Sequence, residues 1–277
     1  MEYVETAGVR IPKIGLGTWQ NTGTECSKTV EAAIDAGYRH IDTAQAYDNE
    51  QAVGDGIAQA DIDRENIFLT TKVWRSNLRY EDVLESVHES LDNLHVDYVD
   101  LVLIHWPHPR IPLEETLEAL SELHDEGVVK SIGVSNFTRS QLEDARRISE
   151  LPIVANQVLY HPYTDQSELQ QYCAADGLAL TAYSPLARGD VLSEETLERI
   201  GRRYDKSTVQ VALRWLIQQE GVVAIPKASS KNHLEQNLDV FDFSLTDTEM
   251  TQIDDCRGPL TVRLRNHLPS VVRHLPI

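Results

Sequence analysis

Eight short apolar runs, dealt at intervals along the chain, constrain this sequence more than any other feature. They are IGLGT at 14–18, YRHID at 38–42, IFLTTKV at 67–73, VDLVLIH at 99–105, VVKSIGVS at 128–135, IVANQV at 153–158, LALTAY at 178–183 and VVAIP at 222–226. Each is β-branched or leucine-rich and of strand length. Between them lie stretches with apolar residues three and four apart: TVEAAIDAG, EDVLESVHESLDNL, LEETLEALSELHDEG and RSQLEDARRI. That is the period of a helix with one buried face. Regular strand–helix alternation favours a parallel sheet covered by helices, because parallel strands need a crossover. Eight such units in 277 residues predict an α/β fold, a closed (β/α)8 TIM barrel. The opening YVETAGVRIPKI reads as an N-terminal β-hairpin turned at Ala7-Gly8 that plugs the barrel floor. Thr246 and Glu249 form a capping-box pattern, so an extra helix is expected there, ahead of a C-terminal tail. No linker or compositional break interrupts the chain, and residues 1–277 are expected to form a single domain.

Charge narrows the partners. The formal net charge is −19, from 25 Lys and Arg against 44 Asp and Glu, which argues against nucleic acid and anionic membranes. Acidic residues are spread throughout, and arginines outnumber lysines. Such a surface suits a high-salt cytoplasm, where the Debye length shrinks to about 3 Å at 1 M and self-repulsion is screened; an ordinary acidic protein fits equally well. No 18-residue apolar span is present, so no membrane helix is expected, and the opening residues do not read as a signal peptide. Cys26, Cys173 and Cys256 are odd in number and widely spaced. They read as reduced thiols of a cytoplasmic protein, not as a disulfide frame or a zinc site. The expected partner is a small molecule, bound by a monomer or a weak homo-oligomer.

In such barrels the functional face lies at the carboxyl ends of the strands, where the notable polar residues fall. Asp42 ends the second run, Lys72 the third and His105 the fourth; Ser135 and Asn136 end the fifth, Asn156 and Gln157 the sixth, Tyr183 and Ser184 the seventh, and Lys227 the eighth. Lys72 sits in an otherwise apolar strand, and a buried ammonium is costly unless paired. Asp42, one strand away, is the natural partner. Alone, the two would be a plain buried ion pair. Tyr47 adds chemistry: a phenol titrates near about 10, a neighbouring cation lowers that value, and a phenol so tuned can protonate a developing alkoxide. His105 by itself reads as a core histidine; beside the other three it would hydrogen-bond a carbonyl oxygen. His105 and His108 are interrupted by prolines and have no evident third ligand, so no metal is expected. GLGTWQ carries Gly15 and Gly17 but has Gln20 where a third glycine would stand, so it is not a Rossmann fingerprint. The better phosphate site is AIPKASSKNHLEQN, where Lys227, Ser229, Ser230 and Lys231 meet a helix start.

The segments IPKIGLGTWQ, GYRHIDTAQAYDNEQAVG, TKVW, LIHWP, IGVSNF, NQVLYHPY, AYSPLARG and IPKASS together resemble the aldo-keto reductase family, in family order and over nearly the whole chain. The likeness is closest to prokaryotic 2,5-diketogluconate reductase-like and aldehyde reductase members. It implies reduction of aldehydes or ketones (small aldehydes, keto sugars or keto sugar acids) to alcohols, with NAD(P)H held without a Rossmann domain. By matching position, Asp42, Tyr47, Lys72 and His105 would be the catalytic tetrad. Tyr47 would be the general acid, its pKa lowered by Lys72, and His105 would orient the carbonyl. Tyr183 would stack on the nicotinamide, with Ser135, Asn136 and Gln157 on its carboxamide. Thr18, Trp19, Asp42, Ser184, Leu186 and Ile225 would border the cofactor, and Lys227, Ser229, His233, Gln236 and Asn237 would lie toward its adenosine end. Trp19, Trp74 and Trp106, with Tyr47 and His105, would line an apolar substrate pocket.

Three positions depart from the family pattern: Ala228 replaces a serine, His233 an arginine and Gln236 a glutamate. An imidazole lacks the arginine fork that grips phosphate, so NADPH is expected to be preferred only somewhat, with NADH also used. Arg263, Arg265 and Arg273 in the tail could draw an anionic substrate or tether to the protein's own carboxylates. Two other readings stay open at this level: an NAD(P)H-sensing regulatory protein on the same fold, and a barrel isomerase or lyase acting on a phosphorylated substrate.

Overall fold

The structure is a computed structural model that describes residues 1–262; Arg263, Arg265 and Arg273 lie outside the described residues. Strands β1 (Tyr3–Thr6) and β2 (Val9–Pro12) form the expected antiparallel hairpin, with Thr6 opposite Val9. Its two turn residues, Ala7 at φ 45° and Gly8 at φ 82°, adopt the left-handed pair that a tight two-residue hairpin needs. Val4 and Ile11 pack on Phe68, Leu101, Val154, Ala179 and Val223, which stand near the starts of barrel strands. Thr6 Oγ1 donates to the Val154 carbonyl at 3.2 Å. The hairpin therefore closes the amino-terminal floor and leaves the opposite end open.

The barrel strands are β3 (Leu16–Gly17), β4 (His40–Asp42), β5 (Phe68–Val73), β6 (Leu101–Ile104), β7 (Ile132–Ser135), β8 (Ile153–Leu159), β9 (Ala179–Tyr183) and β10 (Val222–Ile225). Each pairs in parallel with its neighbour in sequence. The seam between β10 and β3 closes through a bridge of Ile14 with Ala224 and the bonds Gly15 N–H to Ala224 O at 2.9 Å and Gly17 N–H to Pro226 O at 3.1 Å. A Cβ on Gly17 would stand 2.7 Å from the Ile225 carbonyl oxygen, so only glycine lets the seam close this tightly. Several strands are shorter than the apolar runs that announced them. Val99 and Val129 form only an isolated bridge, because an apolar run records burial, whereas a ladder also needs hydrogen-bond register.

Helices cover the sheet: α1 (Gly23–Ala36), α2 (Glu50–Gln59), α3 (Tyr80–Leu94), α4 (Leu113–Asp125), α5 (Arg139–Ile148), α6 (Ser167–Ala175), α7 (Glu195–Tyr204), α8 (Thr208–Gln218), α9 (Lys231–Leu238) and α10 (Asp247–Asp254). In α3 the buried stripe Val83, Val87, Leu91 and Leu94 repeats at helical spacing, each such side chain contributing roughly 1.5–3 kcal/mol when fully buried. Helix α7 is an insertion in the β9–β10 crossover, and α10 is the extra helix expected at Thr246. There Thr246 Oγ1 accepts the Glu249 N–H while Glu249 accepts the Thr246 N–H, a complete capping box. Among the described residues no helix is long and apolar enough to cross a membrane.

Candidate active site

Alternation along β5 decides the centre of the site. Lys72 points into the barrel, while Thr71 points outward and donates to Glu50 at 2.5 Å. The Lys72 ammonium is fully buried, and its three donors are all engaged: Asp42 Oδ1 at 2.6 Å, the Thr43 carbonyl at 2.7 Å and Tyr47 Oη at 3.3 Å. The second Asp42 oxygen accepts from Gln157 Nε2 at 2.7 Å, across the barrel. Burial pulls the Lys72 pKa down, but the attraction of Asp42 and of Tyr47 more than restores it, so the group stands above its ordinary value as an ammonium.

Tyr47 lies in a short 3-10 turn, Gln45–Tyr47, that β4 feeds directly and that ends at Asp48 with φ 52°. Its pKa corrects the reading of a net acidic phenol. Burial pushes it up, Lys72 pulls it down, and Asp42 pushes it up again, with the net direction upward. The physical reason is that the cost of charging a buried phenol outweighs the pull of Lys72, which the neighbouring Asp42 offsets in part. The hydroxyl stays protonated at neutral pH and is a proton donor. His105, just past β6, has its ring edge-on to Tyr47 at 5.7 Å and to Trp74 at 5.1 Å between centroids.

These groups open onto a cavity of about 500 Å³ at the carboxyl ends of the strands. Its lining draws on Trp19, Asp42, Tyr47, Trp74, His105 and Trp106. Ser135, Asn136, Gln157, Tyr183, Ser184, Ile225 and Lys227 line it too. The size suits a small-molecule site. Lys72 and Thr18 are not part of the lining: both are fully buried, Thr18 with its hydroxyl on the Asp42 carbonyl at 3.0 Å. Asn136 and Ser184 hold left-handed φ values of 63° and 50°, backbone strain of the kind that gathers at functional sites. Tyr183 Oη donates to Asn136 Oδ1 at 2.9 Å, while Asn136 Nδ2 donates to the His105 carbonyl at 3.1 Å and to Ser135 Oγ at 3.0 Å. This chain locks the Tyr183 ring as a flat wall of the cavity, and it places carboxamide and hydroxyl groups beside that wall. Such a wall fits an aromatic ring carrying a carboxamide.

At the adenosine end the expected residues diverge. Ser230 caps α9 by accepting the His233 N–H, and Lys227, Ser229, Lys231 and His233 are all exposed along its start. Lys227 Nζ donates to the Gln20 carbonyl at 2.9 Å, placing the cation across the seam. A helix start with exposed cations fits a phosphate. Ala228 is buried and Gln236 half-buried, whereas Asn237 is 2% exposed and turns inward against Tyr38. Asn156 likewise faces out of the barrel, donating to the Phe137 carbonyl at 3.0 Å, so it is not at the mouth. Leu186 is half-buried beside a turn and is not in the cavity lining.

Other polar residues at the mouth escaped the sequence reading. Asn49 accepts from the Thr43 hydroxyl at 2.7 Å and donates to the Thr18 and Asn21 carbonyls at 2.9 and 2.7 Å, stitching the first two loops together. The Arg188 guanidinium lies 5.2 Å from the Trp19 ring centroid. Gln45 bonds to the Trp74 backbone. Their only signal in sequence is a polar side chain near a strand end. Among the described residues no cluster of His, Cys, Asp and Glu could hold a metal.

Comparison with known proteins agrees with this fold. The sequence model of the Aldo/keto reductase family matches residues 13–257. Glyoxal reductase of Bacillus subtilis is 43% identical over 248 residues, covering 89% of each chain. A crystal structure of a protein provisionally named 2,5-diketo-D-gluconic acid reductase B superposes with a TM-score of 0.90 at 43% identity, over 92% of this chain and 91% of that one. The Bombyx mori aldo-keto reductase in complex with NADP does so with a TM-score of 0.85 at 35% identity, over 91% of each. A barrel of this topology, matched by the family over most of its length, leaves one assignment: the chain belongs to the aldo/keto reductase family and is an NAD(P)H-dependent oxidoreductase that reduces carbonyl groups.

Proposed function

We propose that the protein reduces small aldehydes and keto sugars or keto sugar acids, with Tyr47 as general acid and NADPH preferred over NADH. The observation that carries this reading is the chain Gln157–Asp42–Lys72–Tyr47, which ends in a protonated hydroxyl at the cavity wall. When bound, the nicotinamide supplies the hydride. Tyr183 would hold its ring, and Ser135, Asn136 and Gln157 its carboxamide. Trp19, Ser184 and Ile225 would border it, and Lys227 and the start of α9 would meet the phosphate.

The residues of the chain do the rest. Tyr47 Oη and the His105 ring together hold the carbonyl oxygen, which polarises the bond. As negative charge grows on that oxygen, Tyr47 gives up its proton. Lys72 then stabilises the phenolate at 3.3 Å, and Asp42 keeps the ammonium from being a buried unpaired charge. Trp19, Trp74 and Trp106 exclude water from the reacting carbon, which strengthens these electrostatic terms. The three buried, unpaired cysteines support a reducing, cytoplasmic setting.

The similarity to a glyoxal reductase and to a diketogluconate reductase supports the substrate classes. Lys227 supports NADPH, while His233, without an arginine fork, supports tolerance of NADH. The test is oxidation of NADPH and of NADH with methylglyoxal and with a keto sugar acid, in the wild type and Tyr47→Phe. Turnover that falls by roughly 10²–10⁴ in the variant supports the acid role. Equal turnover would refute it. A preference for NADPH of several thousand-fold would refute the tolerance of NADH.

A further inference from the structure

The wall of the substrate cavity that carries Tyr47 and Trp74 has a second cavity behind it. That space, about 370 Å³, is polar, opens to solvent past the exposed Asp48, Gln51, Glu89 and Asn93, and is lined within by Asn49, Glu50, Asn77, Ser86 and Ser90. Ala46 and Trp74 line both cavities, so a single layer of residues separates the more apolar substrate cavity from the polar one. Gln45 holds that layer. It opens the turn that ends in Tyr47. Its Oε1 accepts the Trp74 backbone N–H at 2.8 Å and Asn77 Nδ2 at 3.3 Å. Its Nε2 donates to the Ser86 carbonyl at 3.0 Å and to Ser90 Oγ at 3.2 Å. One carboxamide thus uses all of its bonds to tie the turn, the end of β5 and helix α3 together across 29 to 45 residues of sequence.

We infer that Gln45 is a positioning residue that sets substrate size, by pinning the Tyr47–Trp74 wall and sealing the substrate cavity from the polar cavity behind it. The inference rests on the reading of Tyr47 as the acid and of Trp74 as pocket wall. Ser86 and Ser90 belong to α3, whose apolar stripe packs into the core, so the amide ties the turn to a packed helix. Trp74 itself is only half-buried. Freed of the Gln45 acceptor, its backbone N–H loses its partner, and the indole can move toward the space behind it. The substrate cavity then gains access to the second one, bulky carbonyls are admitted, and small ones lose the contact that orients them beneath Tyr47.

The test compares kcat/KM for methylglyoxal and for a biphenyl aldehyde, with the alcohol product measured by chromatography. The proteins are the wild type, Gln45→Ala, Gln45→Met and Tyr47→Phe, each checked for folding by circular dichroism and for NADPH binding by fluorescence quenching. Met preserves bulk and removes the hydrogen bonds. The expected result is a bulky-to-small ratio raised on the order of tenfold in Gln45→Ala and also raised in Gln45→Met. It should come from a higher KM for methylglyoxal, with unchanged NADPH affinity. A ratio within twofold of the wild type in both variants overturns the inference. A ratio raised in Ala but not in Met overturns it too, since bulk and not anchoring would then form the partition. If Tyr47→Phe turns over both substrates like the wild type, the reading of the acid fails instead, and that result is separate from the ratio.

Discussion

Replacing Lys72 by methionine removes one charge from the best-buried ion pair in the described structure and keeps most of the side-chain volume. The pair is 2.6 Å long, and its side chains are 0% and 2% exposed. In the variant, Asp42 keeps its bond from Gln157 but loses its counter-ion, and the Thr43 carbonyl loses its donor. Breaking a buried pair by removing one partner typically costs about 3–5 kcal/mol, because an uncompensated charge is left behind. At roughly 2–4 °C per kcal/mol for a chain of this size, Tm falls by about 6–20 °C. The double variant Lys72→Met/Asp42→Asn carries no stranded charge and should recover at least about 2 kcal/mol of the loss. Urea denaturation of the wild type, both single variants and the double variant gives the coupling directly. Activity should fall further than stability: Lys72 is the influence that lowers the Tyr47 pKa, so its loss leaves a weaker acid, and turnover drops by roughly 10²–10⁴. A Lys72→Met protein within about 1 kcal/mol of the wild type, or a double variant less stable than the single one, would refute the reasoning.

Three further outcomes follow from the same structure. His40 is 2% exposed, with Nε2 3.2 Å from the Thr70 hydroxyl, and burial lowers its pKa to about 4. Its folded value lies below the unfolded one, so this contribution to stability is complete above pH about 6.5 and is lost as pH falls toward 4. By pH about 5 roughly 2 kcal/mol should be gone; urea titrations at the two pH values should show that loss, and His40→Gln should remove it. Gly54 in α2 abuts the α3 terminus so closely that a Cβ would overlap the Leu94 carbonyl; Gly54→Ala should therefore lower stability by about 1–3 kcal/mol, whereas a gain in Tm would show that helix propensity outweighs the clash. With a net charge of −19, stability should rise as potassium chloride goes from about 0.1 to 1 M and the Debye length falls from about 10 to 3 Å. A flat response in thermal unfolding would remove the high-salt reading.

The barrel was legible because its signals are local. Apolar runs at strand spacing and stripes at helical spacing record which residues must leave water, and the β1–β2 turn and the Thr246 cap are written in two or three adjacent residues. The gathering of Asp42, Lys72 and His105 near Tyr47 was legible for a related reason: the three are polar residues at the ends of apolar strands, and a parallel barrel brings such ends to one face. Asn156 misled at the same strand end where Gln157 did not, since neighbours on a strand face opposite ways and the choice rests on register.

What the chain itself determined is which residues are buried in what order, and so the fold class, the open face and the residues delivered to it. What only the tertiary structure decided is the balance of forces at that face. The direction of the Tyr47 pKa depends on how deeply its hydroxyl is buried and on Lys72 and Asp42 both lying near it, with burial outweighing the pull of Lys72. The inward turn of Asn237 and the span of Gln45 across three elements are likewise products of distance. Hydrophobic burial is additive along a sequence and can be read from it. Electrostatics and hydrogen bonding vary steeply with separation, and separation exists only once the chain has folded.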